Sequence, residues 1–586
     1  MTRKTKTVLY SAVFMITAIS MVVLCYLKGI VPFGSKGSMA IMDAQIQYLD
    51  FFAYLKDVLN GTQKIGYTFN RTLGGNNIAV FAYYLSSPFN LLVAFFRKDQ
   101  LQAFFTVIVI LKLSMASMTC SIFLRNRFKN LEIAVVMALS LGYGMMQYNI
   151  AQASNIMWLD GVYMLPLILL GVHQLVNENK KALLMAAAGI ALVFNWYSAA
   201  IDFLFSVIWF MYEVLLITPV ERSNIKKMVD HIVRYCIAMG TALMIGAFLF
   251  LPAALAMSDG KGNVEWIPIL GIYGWGNIFS FIQRFELGSR SEYGSVSLYC
   301  GSLAVIGCIA YMLCKKIDRN KKILHSILIV FVLSLFYIPV FVWGFSLLKV
   351  VGSYWYRYSY IGIITLIVIA AEFFSVKDQE TNTRALMWKA TAVAVLVLFF
   401  MEYVKPLGKP FNVYMTVLAF IATMLFTDIL FWTKRVSVKR IVIFLMAVTV
   451  STELVYNAKL IMTLDGGVEH FTQYAEDEMK LISQLQQQDG GFYRINQTST
   501  RDVDGNKLTA NYNEGIAYNY KSISGYTSDP DRNQLLFMKQ MGYAICGDVM
   551  NVVNTSVLGA DSILGVKYVL SSYDIPGLKK LENIEP

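Results

Sequence analysis

A carboxylate can take a proton from a hydroxyl, and an arginine can hold a phosphate through two parallel donors. Asp43, Asp50 and Asp57 recur at heptad spacing in DAQIQYLDFFAYLKDVL (43–59), which sets them along one side of a helix. Asp50 and Asp57 read as a solvated polar stripe. Asp43 stands where that helix should begin, after a loop containing Gly and Ser, so it is either an N-cap or a carboxylate available for acid–base work. Asp160 closes NIMWLD (155–160), which brings Asn155 and Trp158 to the mouth of the next apolar run; a helix cap and a ligand for sugar hydroxyls both fit it. Glu265, Arg284 and Glu286 lie in the polar stretch 256–297. Arg357 sits among tyrosines in SYWYRYSY (353–360), as an interfacial anchor or as a phosphate clamp.

The elements that must position these groups are set by hydropathy. The 586 residues are 56% hydrophobic, 14% aromatic and only 15% charged, against about 25% charged in an ordinary soluble domain. Too little polar surface remains to coat a globule in water. Apolar runs fall at 7–27, 102–124, 131–150, 161–177, 182–197, 203–218, 231–255, 298–314, 323–346, 358–375, 386–404, 411–432 and 440–460, which predicts about thirteen membrane-spanning helices. The first run is too long for the apolar core of a signal peptide and lacks a small-residue cleavage site, so it reads as a retained helix.

One further stretch, 77–96, contains SSPFN, where Pro88 disfavours helix just before it. With 77–96 not spanning and a cytoplasmic N-terminus, the clusters RNRFKN, NENKK, ERSNIKK, CKKIDRNKK, KDQETNTR and TKRVSVKR all fall on the cytoplasmic side. Were it to span, every later loop would invert against the positive-inside rule. The expectation is therefore an interfacial or re-entrant segment covered by other protein. A polytopic domain (1–460) then exposes a first outer loop with interfacial helices (28–101) and a middle outer loop (256–297). The tail, 461–586, has soluble composition and reads as an extracytoplasmic α/β domain with its own core.

Other chemistries lack a pattern. The net charge of +12 comes from clusters at helix ends, not from a nucleic-acid-binding stripe. Seven cysteines form no CxxC, four histidines are scattered, and Gly74-Gly75 and Gly490-Gly491 stand in no nucleotide-binding context.

MDAQIQYLDFFAYLKD (42–57), TLGGNNIAVFAYYLSSPFNLL (72–92), NIMWLDGVYMLPLILLG (155–171), NWYSAAIDFLF (195–205), SVSLYCGSLAVIG (295–307), YRYSY (356–360), SGYTS (524–528) and LGVKYVLSS (564–572) resemble, in order, the bacterial YfhO membrane proteins. The resemblance implies a GT-C-like glycosyltransferase of the bacterial plasma membrane, acting at the outer face. Its donor would be a polyprenyl-phosphate-linked sugar, made by a separate transferase and carried across by a flippase. Its acceptor would be a cell-wall polymer such as lipoteichoic acid. An acidic residue of the first outer loop is usually central in that class, and Asp43 matches it. Arg357 would hold the phosphate. Asn155, Trp158, Asp160, Glu265, Arg284 and Glu286 would serve sugar or acceptor binding. Some members of the class use a divalent metal (Mg or Mn) and others none, and the residues point to no metal ligand set. Many family members are longer and return to the membrane after the soluble part, so this chain resembles a shortened version. A flippase for a lipid-linked sugar, which would call for charges at mid-membrane and repeated halves, and a non-catalytic scaffold are the competing readings.

Overall fold

An apolar run becomes a helix of defined length where its ends are capped. The computed structural model describes residues 2–218, 221–257, 278–289, 296–351, 354, 356–376, 383–404, 409–464, 466–498, 513–527, 530–543, 556–571 and 573–581. Its first helix, Arg3–Lys28, shows both caps. Thr2 Oγ1 accepts from the Thr5 N–H at 3.3 Å, and Gly29 ends the helix with a left-handed φ of 71°. Glycine adopts that backbone without steric penalty, and a Cβ at Gly29 would lie 2.8 Å from the Lys36 side chain.

Each of the thirteen apolar runs is helical over most of its length. Among the described residues, nine helices are long and apolar enough to cross a membrane, from Arg3–Lys28 to Val436–Ile461. Ala182–Phe194, Ser302–Leu313 and Tyr360–Val376 are shorter apolar helices. A 12-residue helix such as Ser302–Leu313 extends about 18 Å, well short of a hydrocarbon core of about 30 Å. The run at 323–346 divides into Arg319–Ser334 and Pro339–Phe345, bent by 82°, with Pro339 opening the second piece. Of the thirteen runs, nine thus form candidate spans, one is bent and three are short, and the stretch 77–96 supplies the other bent pair.

The stretch 77–96 is broken. Ile78–Leu85 and Pro88–Phe95 meet at 93°. Ser87, before the proline, takes extended backbone (φ −64°, ψ 134°), as the residue preceding a proline must when helix is disfavoured. Asn90, fully buried, donates to the Tyr84 carbonyl at 3.0 Å across the bend. Backbone freed by the break is partly satisfied by this protein contact.

The heptad aspartates are not solvated. Asp50 and Asp57 are buried in the Leu49–Leu59 helix, contrary to the polar-stripe expectation. The reason lies far along the chain: the tail helix Glu514–Tyr518 packs on Leu49–Leu59 and covers it. Lys98 Nζ bridges the two, 2.7 Å from Asp57 Oδ2 and 2.7 Å from the Ala517 carbonyl, and Gln63 Nε2 donates to the Ile516 carbonyl at 3.0 Å. Lys98→Met removes charge-assisted bonds of about 1.5–3 kcal/mol. The expected result is faster release of the tail in limited proteolysis of the full-length protein; an unchanged cleavage rate would show that the bridge does not hold the tail.

The tail contains Val468–Gln488, then a parallel strand pair, Arg494–Gln497 with Val566–Leu570, and short helices at Glu514–Tyr518, Arg532–Gln540 and Leu558–Ile563. The Val566–Leu570 strand lies within the LGVKYVLSS motif. Most of the tail's apolar interior is not separate. Phe471, Ala475, Ile482, Leu485, Ile495 and Ile516 belong to the same buried cluster as the apolar helices and the 44–55 segment. Among the described residues of the tail, Ile523, Met538, Tyr543 and Ala560 form a small core apart. The tail is docked, with the first long loop as its floor.

Candidate functional site

Arg357 lies in the turn that precedes Tyr360–Val376. Its guanidinium carbon sits 4.8 Å from the centre of the Trp158 ring and 5.8 Å from that of Tyr197. Nη1 donates to the Tyr197 hydroxyl and Nε to the Tyr354 carbonyl, each at 3.3 Å. The backbone is held as well, because Tyr148 donates its hydroxyl to the Arg357 carbonyl at 2.6 Å. Stacking on aromatic faces fixes the plane of a guanidinium while its charge stays permanent.

Asp43 approaches from the opposite direction in sequence. It is half-buried and precedes a π-helical turn, Ala44–Tyr48, without making a side-chain cap bond to it. The N-cap reading of Asp43 therefore does not describe the structure. Burial raises the Asp43 carboxyl above the ordinary carboxylate range, and the charge of Arg357 opposes that rise. The two residues are thus electrostatic neighbours, although 314 positions separate them (357 minus 43).

Both stand beside strained backbone. Met42 has φ 52°, and Tyr354 and Tyr356 have φ 52° and 59°, left-handed values that bulky side chains rarely adopt. Such conformations cost on the order of 1–3 kcal/mol each and cluster where function requires a fixed geometry. A second π-helical turn, Phe81–Leu85, delivers Tyr83 and Tyr84 to the same place; π turns often mark functional sites.

Aromatic and amide groups wall the site. Trp158 Nε1 donates to the Tyr83 hydroxyl at 3.1 Å, and Tyr48 donates its hydroxyl to Asn155 Oδ1 at 3.2 Å. Tyr83 lies 5.9 Å from Tyr197, and Trp158 5.7 Å from Tyr354, ring centre to ring centre. Asn155 and Trp158 therefore lie in the same neighbourhood as Arg357 and the Asp43–Tyr48 turn. Tyr48, Tyr83, Tyr197 and Tyr354 were not singled out, since tyrosines at the edges of apolar runs are already explained by the aromatic belt. Their presence within the quoted motifs was the available signal.

Asp160 is not available to a substrate. It is buried, with Lys112 Nζ 2.7 Å from Oδ2 and the hydroxyls of Ser87 and Tyr163 each 2.7 Å from Oδ1. Lys112 also donates to the Ile156 carbonyl at 3.0 Å. The pair supports the site from behind: it ties the bend at Ser87 and the 156–158 turn carrying Trp158 to the Leu101–Arg127 helix. Gly161 permits the close approach there, because a Cβ would fall 2.5 Å from that of Ser198.

Glu286 and Arg284 face other groups. Burial, with the charge of Glu402 added, pushes the Glu286 carboxyl to about 7, and Lys409 opposes it. The charge of Arg284 reaches Tyr337. Glu265 lies outside the described residues. Among the described residues no three His, Cys, Asp or Glu side chains gather as a metal-binding group.

One half-buried carboxylate and one aromatic-stacked guanidinium, at one end of a bundle of apolar helices, define a multi-pass membrane protein with a polar site at the helix ends. The chain belongs to the family described as bacterial membrane protein YfhO, which matches residues 12–583. No curated protein matches it. Two solved structures are similar over most of their length. ArnT from Cupriavidus metallidurans in the apo state shares 10% identity and a TM-score of 0.43, covering 91% of this chain and 88% of its own. ArnT from the same organism bound to undecaprenyl phosphate shares 11% and 0.42, covering 92% and 89%.

Proposed function

We propose that this protein is a membrane glycosyltransferase that moves a sugar from a polyprenyl-phosphate donor to a hydroxyl of a cell-wall polymer, such as a teichoic or lipoteichoic acid. The observation that carries the reading is the half-buried Asp43 carboxylate within electrostatic reach of Arg357, whose guanidinium is held in an aromatic wall. Asp43 takes the proton of the acceptor hydroxyl as its oxygen bonds to the anomeric carbon. The bond from that carbon to the phosphate oxygen breaks, and the electron pair leaves with the polyprenyl phosphate. Arg357 stabilises the charge gathering on that phosphate, while Trp158, Tyr197 and Asn155 offer stacking and hydrogen-bonding surface to the sugar. The apolar helices supply a lipid-facing surface for the polyprenyl tail.

In this reading the site faces outward, with the N-terminus cytoplasmic and the tail extracellular. A donor-making transferase and a flippase act before it. Asp43 and Arg357 need no metal for the steps assigned to them.

The test is transfer of radiolabel from a polyprenyl-phosphate sugar into wall polymer by membranes containing the full-length protein. Label in the polymer supports the transferase; label moving across the bilayer without entering polymer would indicate a flippase instead. Arg357→Lys keeps the charge but loses the planar fork. Losing one charge-assisted bond, about 1.5–3 kcal/mol, should lower kcat/KM for the donor about ten- to a hundredfold. Unaltered kinetics in that variant would remove Arg357 from the phosphate role.

A further inference from the structure

A cavity of about 640 Å³ opens between the first long loop and the tail. Lys64, Tyr67 and Phe69 line one side, and Asp489, Tyr493 and Lys521 line the other. The two walls are joined by several bonds, which makes the cleft a built feature. Thr72 N–H donates to the Ser524 carbonyl at 2.7 Å, Ser522 N–H to the Phe69 carbonyl at 3.3 Å, and Asn70 Nδ2 to Asn519 Oδ1 at 2.8 Å. The Tyr67–Thr68 strand, paired antiparallel with Gly75–Asn76, sets the direction of the loop wall.

Aromatic rings stand open to solvent in and beside this cleft: Tyr67 and Phe69 line it, and Phe492 adjoins the lining residue Tyr493. Tyr67, Phe69 and Phe492 are 53%, 42% and 61% exposed, yet they pack edge to face at 5.4 and 5.5 Å. Rings in that arrangement keep free faces, the surface on which the apolar side of a sugar or polyol can lie. The charge is one-sided. Lys521 Nζ lies 5.1 Å from the Phe492 ring centre and 5.8 Å from that of Tyr493. Neither Lys521 nor Lys64 has a carboxylate partner among the described residues. The acid of the cleft, Asp489, is already engaged: Lys567 pairs with it, and the Tyr568 hydroxyl and Gly491 N–H donate to it at 3.1 and 3.0 Å.

We propose that this cleft binds a segment of an anionic, polyhydroxylated polymer, with rings stacking its carbon skeleton and Lys64 and Lys521 pairing its negative groups. The proposal rests on the transferase reading for its purpose, since it makes the cleft the hold on the acceptor chain. The Leu49–Leu59 helix connects the Asp43–Tyr48 turn to the loop that lines the cleft. Its eleven residues rise about 16 Å, a span that an extended polymer bridges. A chain held in the cleft would present a hydroxyl at Asp43 at high effective concentration and could be modified repeatedly without release.

Binding can be measured without donor or turnover, so the cleft and the transferase stand or fall separately. Full-length protein in lipid nanodiscs would be titrated with a soluble poly(glycerol phosphate), and competed with inorganic phosphate, neutral dextran and phosphatidylglycerol vesicles. Saturable binding of the polymer is expected, with Phe69→Ala and Lys521→Gln each weakening it tenfold or more. Lys521→Gln, at a partly exposed position, should also flatten the salt dependence while leaving unfolding of the protein unaltered. Polymer affinity unchanged in both variants would overturn the proposal. So would full competition by inorganic phosphate or dextran, which would reduce the cleft to a simple anion or sugar site, or by the vesicles, which would make it a membrane contact. Polymer binding with no sugar transfer would uphold the cleft and refute only the transferase.

Discussion

Asp43→Asn is expected to lower sugar transfer by about a hundred- to ten-thousandfold, the usual contribution of a positioned general base, with the protein still present in the membrane at its normal level. The substitution keeps the size and polarity of the side chain and removes the group that accepts the proton. Asp43 makes no cap bond to the turn it precedes, so folding does not depend on its charge in the way a helix cap would. The pH dependence sharpens the expectation. Only the ionised carboxylate can act as base, so activity falls as pH drops through its pKa. Burial raises that pKa and Arg357 lowers it; the acid limb of kcat/KM should therefore lie above the ordinary carboxylate range. Removing the positive charge with Arg357→Gln should move the limb to still higher pH, whereas Arg357→Lys, which retains the charge, should leave it nearly in place. Transfer by Asp43→Asn at the wild-type rate would end the general-base role, and an acid limb indifferent to Arg357→Gln would separate the two residues.

Charge at the edge of an apolar run demands a reason, which drew Asp43 and Arg357 out of the sequence as candidates, and the family resemblance implied the role of Asp43. Periodicity was less informative at Asp50 and Asp57. Heptad spacing says which side of a helix they share, but not what covers that side, and the covering helix, Glu514–Tyr518, lies more than 450 residues further along the chain. The tail was read as a domain with its own core for the same reason: its composition is soluble, but Phe471, Ile482 and Ile516 pack into the core of the rest of the molecule. The bend at 77–96 was legible in SSPFN, since proline imposes it through covalent geometry. The tyrosine wall was not, because every tyrosine there already had an interfacial explanation. Asp160 shows the reverse error. It was assigned to substrate although a partner stood in plain view, the single lysine within the apolar run 102–124. A lone cation in such a run requires a buried anion, and Asp160 supplies it.

The Lys112–Asp160 pair should carry a large stability effect. Lys112 and Asp160 have side chains 0% and 2% exposed, and taking two charges out of water is repaid only while both are present. Lys112→Met leaves the Asp160 carboxylate with the Ser87 and Tyr163 hydroxyls alone, and is expected to destabilise the protein by about 3–5 kcal/mol. Asp160→Asn, leaving the ammonium unpaired, should lose a comparable amount. The double variant Lys112→Met/Asp160→Asn removes both charges and should recover most of the loss, because the penalty belongs to the uncompensated charge more than to the missing attraction. Denaturant unfolding of the detergent-solubilised protein reads this as a double-mutant cycle; two single losses that simply add would show that the residues act independently. Activity supplies the link to the site. Asp160 anchors Ser87 at the bend, and Lys112 holds the Ile156 carbonyl in the turn that carries Trp158. The refolded stability of the double variant should therefore not bring back full transfer: with the turn less firmly held, Trp158 loses its fixed place under Arg357, and a site about 1 Å out of position can lose a hundredfold in rate.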